Sequence, residues 1–302
     1  MRNSTDSEHI TLPTAREDAE RAAEISLTPQ TQSAAYRLAY TDVDFLMRDE
    51  SRPVRLQLEL LKPELELQDQ AIESTIVVFG SARIPDPDTA TRLLAEAEQA
   101  LGKAPDDPQA QAEVERLRRA LDRSRYYEEA QRFGRIVSEQ EQDDQSRCFV
   151  IVTGGGPGIM EAANRGAADA NAVSIGLSIT LPHEQAPNPY ITPELSFQFH
   201  YFALRKMHFL MRAKALVVFP GGFGTFDELF ETLCLIQTQK IKPMPVMLFG
   251  RAFWERVVDF EAMVDEGMIS RSDLSLFTFV ETAEDAWAHI CSYYGHRVPG
   301  CA

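Results

Sequence analysis

The chain has 302 residues, 44% hydrophobic and 25% charged, with 46 acidic against 30 basic side chains and a formal charge of −16. That length buries a sizeable core as one large domain or two small ones, and the composition is that of a soluble globular chain rather than a disordered one. The acidic balance argues against nucleic-acid polymers and anionic membranes as partners, and no apolar run approaches the roughly 18 residues of a membrane span. It leaves room for a small anion held by a few local cations and backbone amides. The opening MRNSTDSEHITLPT has no apolar stretch, so no secretory signal is read. Cys148, Cys234, Cys291 and Cys301 lie far apart with no CxxC. That spacing disfavours a zinc site, gives no disulfide framework, and makes a cytoplasmic location the expectation.

Residues 1–74 contain no glycine and carry fifteen acidic against eight basic residues. We read them as an acidic N-terminal extension, poorly ordered over about the first thirty residues and then helical over Ala34–Met47 and Arg52–Leu61. The main domain, 75–295, opens with Thr75–Gly80, an apolar run ending in glycine, and 296–302 form a tail. Similar runs recur at Cys148–Thr153, Val173–Ile179, Ala215–Phe219, Met244–Phe249 and Leu276–Val280. Most are uninterrupted rather than alternating, which predicts strands buried on both faces. Helical spacing falls between them at Ile159–Asn171, Leu204–Arg212, Phe226–Gln239, Phe253–Glu266 and Ala283–Tyr294. The alternation predicts an α/β fold: a Rossmann-like, doubly wound, mostly parallel sheet with helices on both faces. Between Pro85 and Ser146 the pattern is helical, with Asp106-Asp107-Pro108 as a turn. This predicts a helical hairpin inserted at about 85–125 that runs into the first crossover helix.

Two glycine-rich turns follow strands directly: Thr153-Gly-Gly-Gly-Pro-Gly-Ile-Met-Glu161 and Pro220-Gly-Gly-Phe-Gly-Thr-Phe-Asp-Glu228. Glycine lets backbone approach a ligand closely, and the helix that follows offers free N–H groups and the positive end of its dipole. Neither turn is a dinucleotide fingerprint, because the third glycine would fall at Ile159 or at Asp227 or Glu228. Neither is a Walker A loop, since no GK[ST] follows. Two such turns point to a nucleotide-sized anion; tight strand–helix turns without a ligand are the alternative. Thr225-Phe-Asp-Glu228 also fits a capping box, so Glu228 is either a cap partner or a carboxylate in the phosphate site. Arg205-Lys206 sits in an apolar stretch, where an unpaired cation is costly. The expected partner is a carboxylate or a phosphate; the alternative is that Lys206 is exposed and Arg205 pairs structurally with Glu228 or Glu161. His208 reads as packed.

Together, Phe79-Gly-Ser-Ala-Arg83, Thr153–Glu161, Arg205-Lys206 and Pro220–Glu228 resemble the LOG ("Lonely Guy") family over about residues 75–295. Leu181-Pro-His-Glu-Gln185 with Asn188 is similar to its longer bacterial branch, often labelled lysine decarboxylase. The resemblance implies hydrolysis of the N-glycosidic bond of AMP or a cytokinin riboside 5′-monophosphate to free base and ribose 5-phosphate. It implies no metal or redox cofactor, and a homodimer or a multiple of dimers. Carried over by motif, Arg205 and Glu228 are the catalytic pair, and Gly221, Gly222, Gly224 and Thr225 bind the 5′-phosphate. Ser81, Arg83, Gly154, Gly155, Gly156 and Gly158 line the nucleotide site, with Met160, Glu161 and Lys206 beside it. Phe202 and Phe223, like Met160, are candidates for stacking on the base. The rival reading is a non-catalytic nucleotide or pterin-cofactor carrier of the same fold. The insertion and the N-terminal extension depart from the family and leave its motifs intact.

Overall fold

A computed structural model describes residues 12–139, 146–181 and 186–295. In sequence the chain divides into two compact units between Glu64 and Leu65. In the first unit, α1 (Ala15–Ala23) opens with a capping box in which Thr14 accepts from the Glu17 backbone N–H. Helix here departs from the expected lack of order; residues 1–11 lie outside the described part. The expected helix over Ala34–Met47 is instead a 3-10 turn at Ala34–Tyr36 and a four-residue α2 (Val43–Leu46). Ser33 and Asp42 each cap a new start there, breaking the run. The next helix, α3 (Arg52–Asp69), outlasts its expected end and carries Pro63 internally.

The second unit is built on seven strands: β1 (Thr75–Phe79), β2 (Val150–Thr153), β3 (Ser174–Ile179), β4 (Ser196–Phe199), β5 (Ala213–Val218), β6 (Val246–Phe249) and β7 (Thr278–Val280). Their order is β4-β3-β2-β1-β5-β6-β7, and every pairing is parallel. The expected doubly wound sheet is therefore present, and all parallel. Ile76, Val78, Ile151, Val217 and Met247 face one side and pack on a shared core. That core includes Phe133 of α5 (Pro108–Ser138), Ala163 of α6 (Ile159–Asp169) and Ile290 of α11 (Ala283–Tyr294). Phe79 points to the other side, edge-on to Phe209 of α7 (Phe202–Met211), with ring centroids 4.7 Å apart. Each such side chain, fully buried, stabilises the fold by about 1.5–3 kcal/mol.

The inserted hairpin is α4 (Pro87–Lys103) and the first part of α5, with Asp86 and Asp107 as N-caps and a proline opening each helix. From Pro108 the second arm continues without a break into the crossover helix. α5 and α6 touch through small residues: a Cβ on Gly134 would collide with the Ala163 carbonyl, and one on Gly166 with that of Gln131. The segment expected as one helix at Phe253–Glu266 is two, α9 (Arg251–Val257) and α10 (Phe260–Asp265), because Asp259 caps a fresh start. Cys234 and Cys291 are free thiols; Cys148 is disulfide-bonded, contrary to the expectation from cysteine spacing. The tail at 296–302, with Cys301, lies outside the described residues. No described helix is long and apolar enough to cross a membrane.

Candidate functional site

The chain winds outward from β1 to β4 on one side and from β5 to β7 on the other, so the winding reverses between β1 and β5. Ligands of open α/β sheets bind at such a switch point, outside the carboxyl ends of the strands. Three strand ends meet there. The Phe219 N–H donates to the Phe79 carbonyl at 2.8 Å, the Ser81 N–H to the Pro220 carbonyl at 3.0 Å, and the Ile159 N–H to the Ser81 carbonyl at 3.2 Å. Ser81 also accepts from the Arg83 N–H through its hydroxyl, 3.1 Å.

The first glycine turn is held from beneath. Gly155 and Gly158 have φ of +78° and +70°, which only glycine adopts readily. A Cβ on Gly158 would strike the Ser81 carbonyl oxygen. The buried Thr153 hydroxyl donates to Asn164 Oδ1 at 2.7 Å and accepts from the Gly155 N–H at 3.0 Å. Asn188 Nδ2 reaches the Gly156 carbonyl at 3.1 Å, and Asn164 Nδ2 the Ser174 hydroxyl at 3.0 Å. Asn164 was not singled out in the sequence. Its signal is an amide inside the small-residue stretch Glu161–Ala170, where a buried polar group needs partners. Pro182–Gln185, part of the family resemblance, lie outside the described residues.

The second turn opens α8 (Phe223–Gln237), whose N-cap is Gly222 with no side-chain cap. Thr225 is therefore the third helical residue and Glu228 the sixth, and the capping-box alternative falls. Thr225 and Glu228 are both buried, whereas Phe223 is 97% exposed. The uncapped N–H groups of the first turn and the helix dipole remain available to an anion.

Arg205 and Lys206 lie on α7. Arg205 donates from Nε to the Leu177 carbonyl at 2.7 Å and lies over the Phe209 ring, 5.1 Å from its centroid. Gly154 sits against it, and a Cβ there would come within 2.8 Å of its Nη2. Burial lowers the Arg205 pKa while the Glu228 charge raises it. Lys206 is not exposed: its amine is 2.7 Å from Asp227, 2.7 Å from Glu231 and 3.9 Å from Glu228. Burial, which would lower its pKa, is outweighed by the hydrogen bonds to Asp227 and Glu231, so it stays protonated. Burial pushes Glu228 up to about 7; Lys206 and Arg205 act against that, and Glu231 and Asp227 with it. Glu161 pairs instead with Tyr127, whose hydroxyl donates to it at 3.0 Å. His208 is packed against Phe199, as expected.

Arg83, Gly158 and Glu161 line a cavity of about 290 Å³ that neither Arg205 nor Glu228 enters. Met160 lies over the first turn, its Sδ 3.0 Å from where a Gly154 Cβ would be. Phe202 is half exposed at the start of α7. Among the described residues no cluster of three or more His, Cys, Asp or Glu side chains could hold a metal.

The family described as "Possible lysine decarboxylase" matches residues 160–290. Over these residues the chain is similar to that family. The resemblance to the LOG family, whose longer bacterial branch carries that label, is thereby borne out. No curated protein matches the chain. Among solved structures, the molybdenum cofactor binding protein of Rippkaea orientalis is 19% identical, over 56% of this chain and 87% of that one, with a TM-score of 0.39. The Moco carrier protein of Chlamydomonas reinhardtii is 18% identical, over 74% and 99%, with a TM-score of 0.42.

Proposed function

We propose that the protein hydrolyses the N-glycosidic bond of nucleoside 5′-monophosphates, giving free base and ribose 5-phosphate. The observation that carries this reading is Glu228, a buried carboxylate with a pKa of about 7, in the second turn of a helix whose N-terminus is bare. The 5′-phosphate sits on the N–H groups of Phe223–Thr225, which anchors the sugar and supplies binding energy remote from the reacting bond. Breaking the C1′–N bond builds positive charge on the ribose. The ionised Glu228 stabilises that charge and takes a proton from water as its oxygen bonds C1′; the departing nitrogen leaves with the bonding pair and is protonated. A pKa near neutrality suits a group that both accepts and returns a proton. Arg205 lies close enough to interact electrostatically with Glu228, and it donates to the leaving base or to the phosphate.

Decarboxylation of lysine is disfavoured by Lys206, the lysine of the motifs. A Schiff base needs a neutral amine, and this one is held protonated between two carboxylates. The carrier reading does not use a buried carboxylate of raised pKa. The test is incubation with AMP, GMP, CMP, UMP and isopentenyl-AMP, with products separated by chromatography. Free base and ribose 5-phosphate are expected, falling about 10²–10⁴-fold in Glu228→Gln. A nucleotide bound yet unchanged after long incubation favours the carrier.

A further inference from the structure

The cavity of about 290 Å³ has walls from two sources. Leu93 of α4 and Leu117 and Ala120 of α5 come from the insertion; Arg83, Gly158 and Glu161 come from the strand ends at the switch point. Its charged side chains balance, Arg83 and Arg116 against Asp86 and Glu161. Two of these are already engaged: Arg116 with Glu113 at 2.7 Å, and Asp86 with the Thr89 N–H at 2.9 Å. Glu161 receives the Tyr127 hydroxyl on Oε1. Its Oε2 has no donor, and the Arg83 guanidinium no acceptor, among the described residues. The cavity thus offers leucine walls, one spare carboxylate oxygen as acceptor, the N–H edge of the Arg83 guanidinium as donor and no net charge. That suits an uncharged planar heterocycle with both N–H and acceptor atoms on its edge, and it disfavours a phosphate.

The cavity lies on the α5–α6 side of the sheet, whereas Arg205 and Glu228 belong to α7 and α8. The first glycine turn joins the two: Gly154 at its start touches Arg205, and Gly158 at its end lines the cavity. We propose that a nucleotide lies across the carboxyl edge of the sheet along this turn, with its base in the cavity, so that the insertion, through Leu117 and Ala120, selects the base. The inference rests on the hydrolase reading for the placement of sugar and phosphate.

The test is calorimetry on the full chain with two probes, adenine and ribose 5-phosphate, on the wild type and on Ala120→Phe, whose ring fills the cavity from the insertion side. The expected result is at least a tenfold loss of adenine affinity in the variant with ribose 5-phosphate binding unchanged. A wild type that binds no adenine, or a variant that binds it as well as the wild type, overturns the proposal. Should Ala120→Phe lose both probes, the near-isosteric Glu161→Gln decides. A tenfold loss for adenine alone upholds the proposal, and no loss overturns it. Because these readouts are equilibria, a wild type that turns over no nucleotide sinks the hydrolase reading without touching the base pocket.

Discussion

The two glycine turns occupy equivalent places at neighbouring strand ends, yet their glycines serve different ends. In the first, the chain itself requires them: Gly155 and Gly158 are at positive φ, and side chains on either would meet Ser178 or Ser81. In the second, Gly222 and Gly224 have ordinary backbone angles, and a Cβ on either would meet nothing within 4 Å. Only Gly221, against Thr225, is crowded from within. A glycine that the fold does not need, at a bare helix N-terminus, is explained by something outside the chain that must come close. The first turn is thus part of the scaffold, and the second is where we propose that the phosphate sits.

Substitutions separate the two roles. Gly158→Ala forces a strained φ and a backbone clash, so it lowers stability by about 3 kcal/mol, read as a fall in Tm. A Tm unchanged by that substitution breaks the contrast. Glu228→Gln acts in the opposite direction. Folding raises this pKa from 4.5 to about 7, so the native state favours the neutral form; the stability it contributes is complete below pH 4.5 and lost as pH rises through 7. The variant keeps a neutral group throughout. It is more stable than the wild type at pH 8, on the order of 1–3 kcal/mol, and the gap closes toward pH 4.5. Gly224→Ala, on a helical residue with open surroundings, gains about 0.5–1 kcal/mol of stability while crowding the N–H groups of α8. Its KM rises roughly tenfold for a loss of about 1.4 kcal/mol in phosphate binding, so stability and affinity move apart. The smallest effect is on the pH profile. The wild-type kcat/KM rises with pH to a plateau above about 7, where Glu228 ionises. Asp227→Asn removes a like charge from Glu228 and frees Lys206 toward it. The acid limb then moves to lower pH, and a shift to higher pH counts against the assigned geometry.

Much of this was legible in the sequence because parallel strands are buried on both faces and read as unbroken apolar runs, as at Val150–Thr153. β4 was missed for the converse reason. Ser196-Phe-Gln-Phe199 is an edge strand, buried only at Phe197 and Phe199, so its pattern is short and alternating. The start of α8 was ambiguous because Thr225-Phe-Asp-Glu228 satisfies a local capping rule that the glycine turn overrides three residues earlier. The loop-binding role of Asn164 and Asn188 depends on residues 24 positions apart meeting beneath the first turn, which no local pattern encodes. The Lys206 bridge to Asp227 and Glu231 likewise required the α7–α8 packing. For the two asparagines and for Lys206 the missing information is a tertiary contact.

β1 lies between β2 and β5 in the sheet, and that order sets a timetable for the nascent chain. β1 ends at residue 79, but its second neighbour does not begin until residue 213. At a synthesis rate of about 5–20 residues per second, one edge of a wholly buried strand stays open for on the order of ten seconds. An open apolar edge is a template for wrong pairing, so this interval is when a growing chain is most in need of a chaperone. The Ser81 N–H finds its acceptor, the Pro220 carbonyl, only when β5 docks, so the switch-point crevice is completed late in folding, after the scaffold on its other side has formed.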